Sequence, residues 1–233
     1  MIVWLASYPR SGNTFLRALI YQVYGAYTHE FYTKDRDPGG FEVLSKIFGA
    51  APTARSLDGM NGSKDYYLVK THEMPEEDYP AIYIVRDGRD ALVSHTHFVL
   101  HYDRQLPAEI QREEYDDTLK MLIETDGSFG GWSGNVRAWT ARSTKTAIVR
   151  FEDLIQTPLD TLRQAMADVG YPLSELPAPN IPTFGELQKK LPPFFRKGRV
   201  GSWREEMRED LHELFWKRHG AMMHAMGYRS KDA

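Results

Sequence analysis

The chain opens with five apolar residues in a row, Ile2-Val3-Trp4-Leu5-Ala6, and then breaks at Ser7-Tyr8-Pro9-Arg10-Ser11-Gly12-Asn13. A short run with no polar interruption is the pattern of a strand covered on both faces, and the residues after it are turn formers. Phe15, Leu16, Leu19, Ile20, Val23 and Tyr24 then recur at helical spacing, with Gly25 as the stop. Strand, tight polar turn and helix in that order restrict the fold strongly, because a doubly covered strand needs parallel neighbours and helices on either side.

Similar runs recur at Tyr66–Lys70, Ala81–Val85 and Thr146–Arg150, and helical patterns lie near Ala91–Leu100, Trp132–Ala141, Leu159–Val169 and Glu209–Met226. Strands alternating with helices imply crossover units, hence a three-layer α/β fold with a mainly parallel sheet and helices on both faces. Ligands in such sheets bind beyond the carboxyl ends of the strands. Arg10, Lys70, His72 and Arg86 all follow strand ends and are expected on that rim. Residues Tyr27 to Lys64 and His101 to Gly131 read as irregular, and Tyr171 to Pro193 as proline-rich. No repeat or linker divides the chain, so residues 1–233 form a single domain.

Composition closes several routes. A net charge of -3 argues against nucleic acid as a partner, and the absence of cysteine removes thiolate chemistry and zinc–thiolate sites. No apolar run approaches the roughly 20 residues of a membrane span, and the first is too short for a signal-peptide core, which reads as a cytoplasmic protein. Any anion site must come from a few placed groups. Ser11, Gly12, Asn13 and Thr14 stand where the first helix begins, where unpaired N–H groups and the helix dipole favour phosphate; Arg10 adds a forked cation. The same residues also suit the plain cap of an ordinary helix beside a solvated arginine. The GxxxxGK[ST] pattern of a Walker loop is absent.

Ser7-Tyr8-Pro9-Arg10-Ser11-Gly12-Asn13-Thr14-Phe15 resembles the first motif of the PAPS-dependent sulfotransferases, TYPKSGTTW, with arginine in place of the usual lysine. Arg86…Arg89-Asp90…Ser94 is similar to the second motif, and Arg196-Lys197-Gly198…Gly201…Trp203 to the third. Val69-Lys70-Thr71-His72 looks like the segment that carries the general base, and Thr183-Phe184 matches a segment whose aromatic stacks on adenine. Trp132…Trp139 and Phe151-Glu152-Asp153 also have counterparts, with phenylalanine at 151 where many relatives have tyrosine. The resemblance covers residues 2 to about 205, and its finer placement is with bacterial enzymes that sulfate natural products.

The resemblance implies a P-loop-like nucleotide-binding fold and transfer of a sulfuryl group from 3′-phosphoadenosine 5′-phosphosulfate (PAPS) to a hydroxyl or amine of a small-molecule acceptor. The product would be adenosine 3′,5′-bisphosphate (PAP), and no metal is required. Arg10, Ser11, Gly12, Asn13 and Thr14 would meet the 5′-phosphate end, Phe15 and Phe184 (with Thr183) the base, and Arg86, Ser94, Arg196, Lys197 and Gly198 the 3′-phosphate. His72, Lys70 and Arg10 would be the catalytic groups. His29, His95, His97, His101, His212, His219 and His224 read as surface or packing residues. Phe31, Tyr32, Phe41, Phe48, Tyr102, Tyr115 and Phe129 suit either local packing or an aromatic acceptor wall. Two alternatives are a small-molecule kinase with a degenerate phosphate loop and a non-catalytic adenosine-bisphosphate-binding module.

Overall fold

The computed structural model describes residues 1–30, 46–51, 56–107, 110–172, 174–179, 181–190 and 198–230. Six strands form one sheet: β1 (Ile2–Ser7), β2 (Thr28–Glu30), β3 (Ala50–Ala51), β4 (Tyr67–Thr71), β5 (Ala81–Val85) and β6 (Thr146–Arg150). Their order is β3-β2-β4-β1-β5-β6, and each neighbouring pair is parallel. All carboxyl ends therefore lie along one edge, and order reverses around the central β1. That edge is where a crevice forms.

The alternation of side chains along β1 builds the two cores. Ile2, Trp4 and Ala6 join Tyr83, Trp132, Trp139 and Phe215 on one face, while Val3 and Leu5 join Phe15, Leu16, Leu19 and Phe151 on the other. Helices α1 (Asn13–Tyr24), α6 (Phe151–Gln156) and α7 (Pro158–Val169) supply the second face. The first face is covered by α3 (Gly88–Phe98), α4 (Arg112–Glu124), α5 (Gly131–Thr140) and α9 (Glu209–Ala225). Among the described residues, no helix is long and apolar enough to cross a membrane.

The segments read as irregular hold more regular structure than their composition suggests. Residues His101 to Gly131 include all of α4, whose buried apolar residues are the narrow stripe Tyr115, Leu119 and Ile123 against the core. Glu113, Glu114 and other polar residues cover the rest of its surface, so the four-residue spacing is diluted. Tyr27 to Lys64 contributes β2, β3 and the short α2 (Leu57–Asn61), elements too brief to show a period. In the proline-rich stretch, α8 (Phe184–Lys190) begins at a capping box in which Thr183 and Glu186 bond each other's backbone N–H or hydroxyl.

Candidate active site

The turn after β1 is held open by backbone geometry. Gly12 precedes α1 at φ 106°, and a Cβ there would lie 2.4 Å from the Phe151 ring. Only glycine fits. No side chain caps α1, and its first turn carries no acidic residue, so the positive end of the helix faces the rim. Asn13 is buried, and its amide donates back to the Leu5 carbonyl (2.8 Å) and Ser7 Oγ (3.3 Å). Its side chain thus ties the turn to β1. Ser11 is buried as well, with its N–H on the Tyr8 carbonyl. Thr14, half-buried, completes the first turn.

Arg10 occupies the left-handed region at φ 65°, unusual for a residue with a side chain. Contacts from both its backbone and its side chain hold it there. Its carbonyl accepts from Arg86 Nη1 (3.0 Å), and its own Nε donates to Ser94 Oγ (3.2 Å) while the guanidinium lies over the Phe98 ring. Arg10, Arg86 and Ser94 are thereby joined into one cationic cluster across β1 and β5.

Phe151 supports this cluster from below: its ring meets Gly12 on one side and the Arg86 guanidinium, 4.4 Å away, on the other. Arg89 and Asp90, which as isolated charges would suit the surface, are both sealed in the interior. Arg89 pairs with Asp87 (2.6 Å) and lies over the Trp203 ring. Asp90 accepts from Gly201 N–H (2.7 Å), Trp203 N–H (2.9 Å) and Ser202 Oγ (3.0 Å). One buried carboxylate therefore fastens the loop that resembles the third motif to the start of α3. Arg86 Nη2 reaches the same loop through the Arg199 carbonyl (3.2 Å).

The candidate base stands beyond β4. His72 Nδ1 donates to the Ser7 carbonyl (2.7 Å), so the neutral ring carries its lone pair on Nε2. Burial, and then the nearby Lys70 charge, hold its pKa well below the ordinary 6.5. Lys70 lies 3.9 Å from Glu30, which also pairs with the buried Arg17 of α1. The loop bearing His72 is pinned by α5: Asn135 donates to the His72 carbonyl (3.0 Å) and the Phe129 carbonyl (3.0 Å), and Trp139 Nε1 to the Glu73 carbonyl (3.0 Å). Asn135 and Trp139 belong to the helix motif noted in the sequence, and they fix the loop that carries His72.

At the far side, a Cβ on Gly198 (φ 59°) would lie 2.1 Å from the Phe184 ring, and Phe184 meets Phe15 with centroids 6.1 Å apart. Thr183 is exposed, its hydroxyl engaged in the cap of α8. Arg196 and Lys197 lie outside the described residues, as do Phe31, Tyr32 and Phe41. Phe48 and Tyr115 are core residues, whereas Phe129 stands edge-on to His72 at 6.1 Å. Reading the sequence missed Asp90 as an anchor, Arg17 and Glu30 as partners of the Lys70 region, and His95, which sits buried beside Tyr8 (3.1 Å). Arg89 beside Asp90 and Ser94 beside His95 were the available signals, whereas Arg17 and Glu30 lie outside every motif quoted.

The chain has relatives among known proteins. The family model described as "Sulfotransferase domain" matches residues 2–227. Mouse sulfotransferase 1E1 is 24% identical over 251 residues, covering 91% of this chain and 79% of that protein. The crystal structure of mouse sulfotransferase SULT7A1 complexed with PAP aligns with a TM-score of 0.64 at 19% identity, over 94% of this chain and 84% of that one. A retinol dehydratase in complex with androsterone and the inactive cofactor PAP aligns at 0.65 and 18% identity, over 100% and 83% of the two chains. At those identities the structures share the fold.

Proposed function

The chain belongs to the sulfotransferase family, and on that premise we propose that it moves a sulfuryl group from PAPS to a hydroxyl or amine of a small-molecule acceptor. The observation that carries the reading is the joining of Arg10, Arg86 and Ser94 beside an uncapped helix start, on the same rim as His72. A ligand with two separated phosphates matches such a rim: backbone N–H groups serve one, and Arg86 with Ser94 the other. The donor supplies the sulfuryl group, and the chain's own residues do the rest.

His72 Nε2 accepts the proton as the acceptor oxygen or nitrogen forms its bond to sulfur. The bond from sulfur to the bridging oxygen breaks, and its electron pair leaves with the 5′-phosphate. Arg10 and Lys70 are the cations aimed at that growing charge, and fixed charge of this kind supplies most of the rate. Arginine at position 10 cannot deliver a proton, and none is needed, since a phosphate with a second pKa near 6 leaves readily as the anion.

Labelled-donor turnover against a panel of phenols, alcohols, amines and glycans tests the reading. His72→Ala is expected to lose at least ~100-fold in kcat while still binding PAP. Turnover near wild type in that variant would remove His72 from the chemistry.

A further inference from the structure

His95 follows Ser94 on α3 and is only 8% exposed, yet packing does not account for its whole ring. Its Nδ1 lies 3.1 Å from the Tyr8 hydroxyl, which has no other hydrogen-bond partner among the described residues. Tyr8 is buried, and burial raises its phenol well above the ordinary value, so the hydroxyl keeps its proton. A buried O–H must be donated, and Nδ1 is where it can go. That assigns the tautomer: Nδ1 accepts from Tyr8, and the ring's own proton sits on Nε2. The ring is neutral, since burial and then the Arg10 charge bring its pKa down to about 4.

The Nε2–H has no partner among the described residues, and it is not among the buried polar atoms left sealed without one. It therefore reaches open space. Phe129 is the aromatic neighbour that this ring shares with His72: its centroid lies 6.1 Å from His72 and 6.5 Å from His95. Two imidazoles thus flank one aromatic ring with opposite hydrogen-bonding character. His72 presents a lone pair on Nε2, whereas His95 presents an N–H.

We propose that His95 is a specificity-determining residue of the acceptor site, selecting phenols that carry a second, hydrogen-bond-accepting oxygen besides the hydroxyl to be sulfated. The inference rests on the sulfotransferase reading above and adds the acceptor class to it. The aromatic body of the acceptor packs on Phe129, its reacting hydroxyl gives its proton to His72, and its second oxygen accepts from His95 Nε2. An acceptor without that oxygen leaves the buried N–H unpaired, which is the arrangement that discriminates best between close analogues.

Two experiments test this. Long-range proton–nitrogen correlation spectra at neutral pH should show His95 in the Nε2–H form, and Tyr8→Phe should release that preference. A wild-type His95 protonated on Nδ1 overturns the proposal. Separately, 2-, 3- and 4-methoxyphenol are each compared with the matching ethylphenol, which swaps the ether oxygen for a methylene. Wild type should prefer at least one methoxy isomer by about tenfold or more in kcat/KM. His95→Phe should bring that ratio close to one, and His95→Gln, which keeps a donor near the same place, should restore part of it. Equal kcat/KM within every pair, a ratio unmoved in His95→Phe, or no turnover of any phenol overturns it. Calorimetric titration with PAP separates the two levels. If wild type binds PAP yet shows no methoxy preference, only this inference falls; if it binds no PAP, the donor reading falls first.

Discussion

The helices that follow β1 and β5 start at the same edge of the sheet and solve the same problem in opposite ways. At α1 the N-cap is Gly12, no side chain caps the helix, and the first turn has no acid. At α3 the Asp87 side chain caps through Arg89 N–H (2.9 Å), and Asp90 occupies the first turn. One helix dipole is left open for an incoming anion; the other is already answered by carboxylates. In the proposed reading the second start serves a phosphate through the Arg86 and Ser94 side chains, while Asp90 turns its charge to the loop at 201–203. On the same reading, two phosphate sites arise on one rim, from backbone at one strand end and from side chains at the next.

The difference can be broken at either end. Asp90→Ala is expected to have the largest effect, because it strands two N–H groups and a buried hydroxyl and frees the loop they hold. Chemical denaturation should show a loss of roughly 3 kcal/mol or more, with PAP affinity down at least ~100-fold by calorimetry. Unchanged PAP affinity would show that Asp90 does not place the loop for the ligand. Thr14→Asp converts the open start into a copy of the filled one. A carboxylate in the first turn helps a helix by about 0.3–1 kcal/mol, yet it repels a bound phosphate by an amount comparable with about 4 kcal/mol at contact. Stability should hold or rise slightly while PAP binding falls by ~30-fold or more.

Arg10 spans both sites through Ser94 and Arg86, and charge and shape contribute separately there. Arg10→Ala should lose ~100-fold in kcat, whereas Arg10→Lys should stay within about tenfold, since a single ammonium replaces the charge but not the fork. The smallest effect concerns pH. His72 is held below 6.5 by burial and Lys70, so its basic form persists as pH falls, and the acid limb of kcat/KM should lie clearly under pH 6.5. Removing the cation with Lys70→Met should move that limb upward. A limb that stays in place would mean another group governs it.

Much of this layout is legible in the sequence because doubly buried strands announce themselves. Ala81–Val85 and Thr146–Arg150 are read with the bounds the structure shows, and Ile2–Ala6 falls one residue short of β1. The two-residue β3 and three-residue β2 carry no period to read, and α4 hides its apolar stripe among charges. At the site, the motif residues are found by type and spacing, but what each side chain touches is decided by tertiary packing. Asn13 looks like a ligand and is a strut; Asp90 looks like a surface charge and is an anchor; His95 looks like packing and leaves one N–H unspent. The partners of Asp90 and His95 lie far along the chain, and Asn13 folds back onto the strand just before it, a contact that residue type alone does not show.

The proposed sulfuryl transfer requires this rim to accept two phosphates on one adenosine. Calorimetric titration of the full chain, without added magnesium, with PAP and in parallel with adenosine 5′-phosphate measures that directly. PAP should bind at least ~100-fold more tightly, the second phosphate being met by Arg86 and Ser94. Equal affinity for the two nucleotides, or no binding of either, would contradict it.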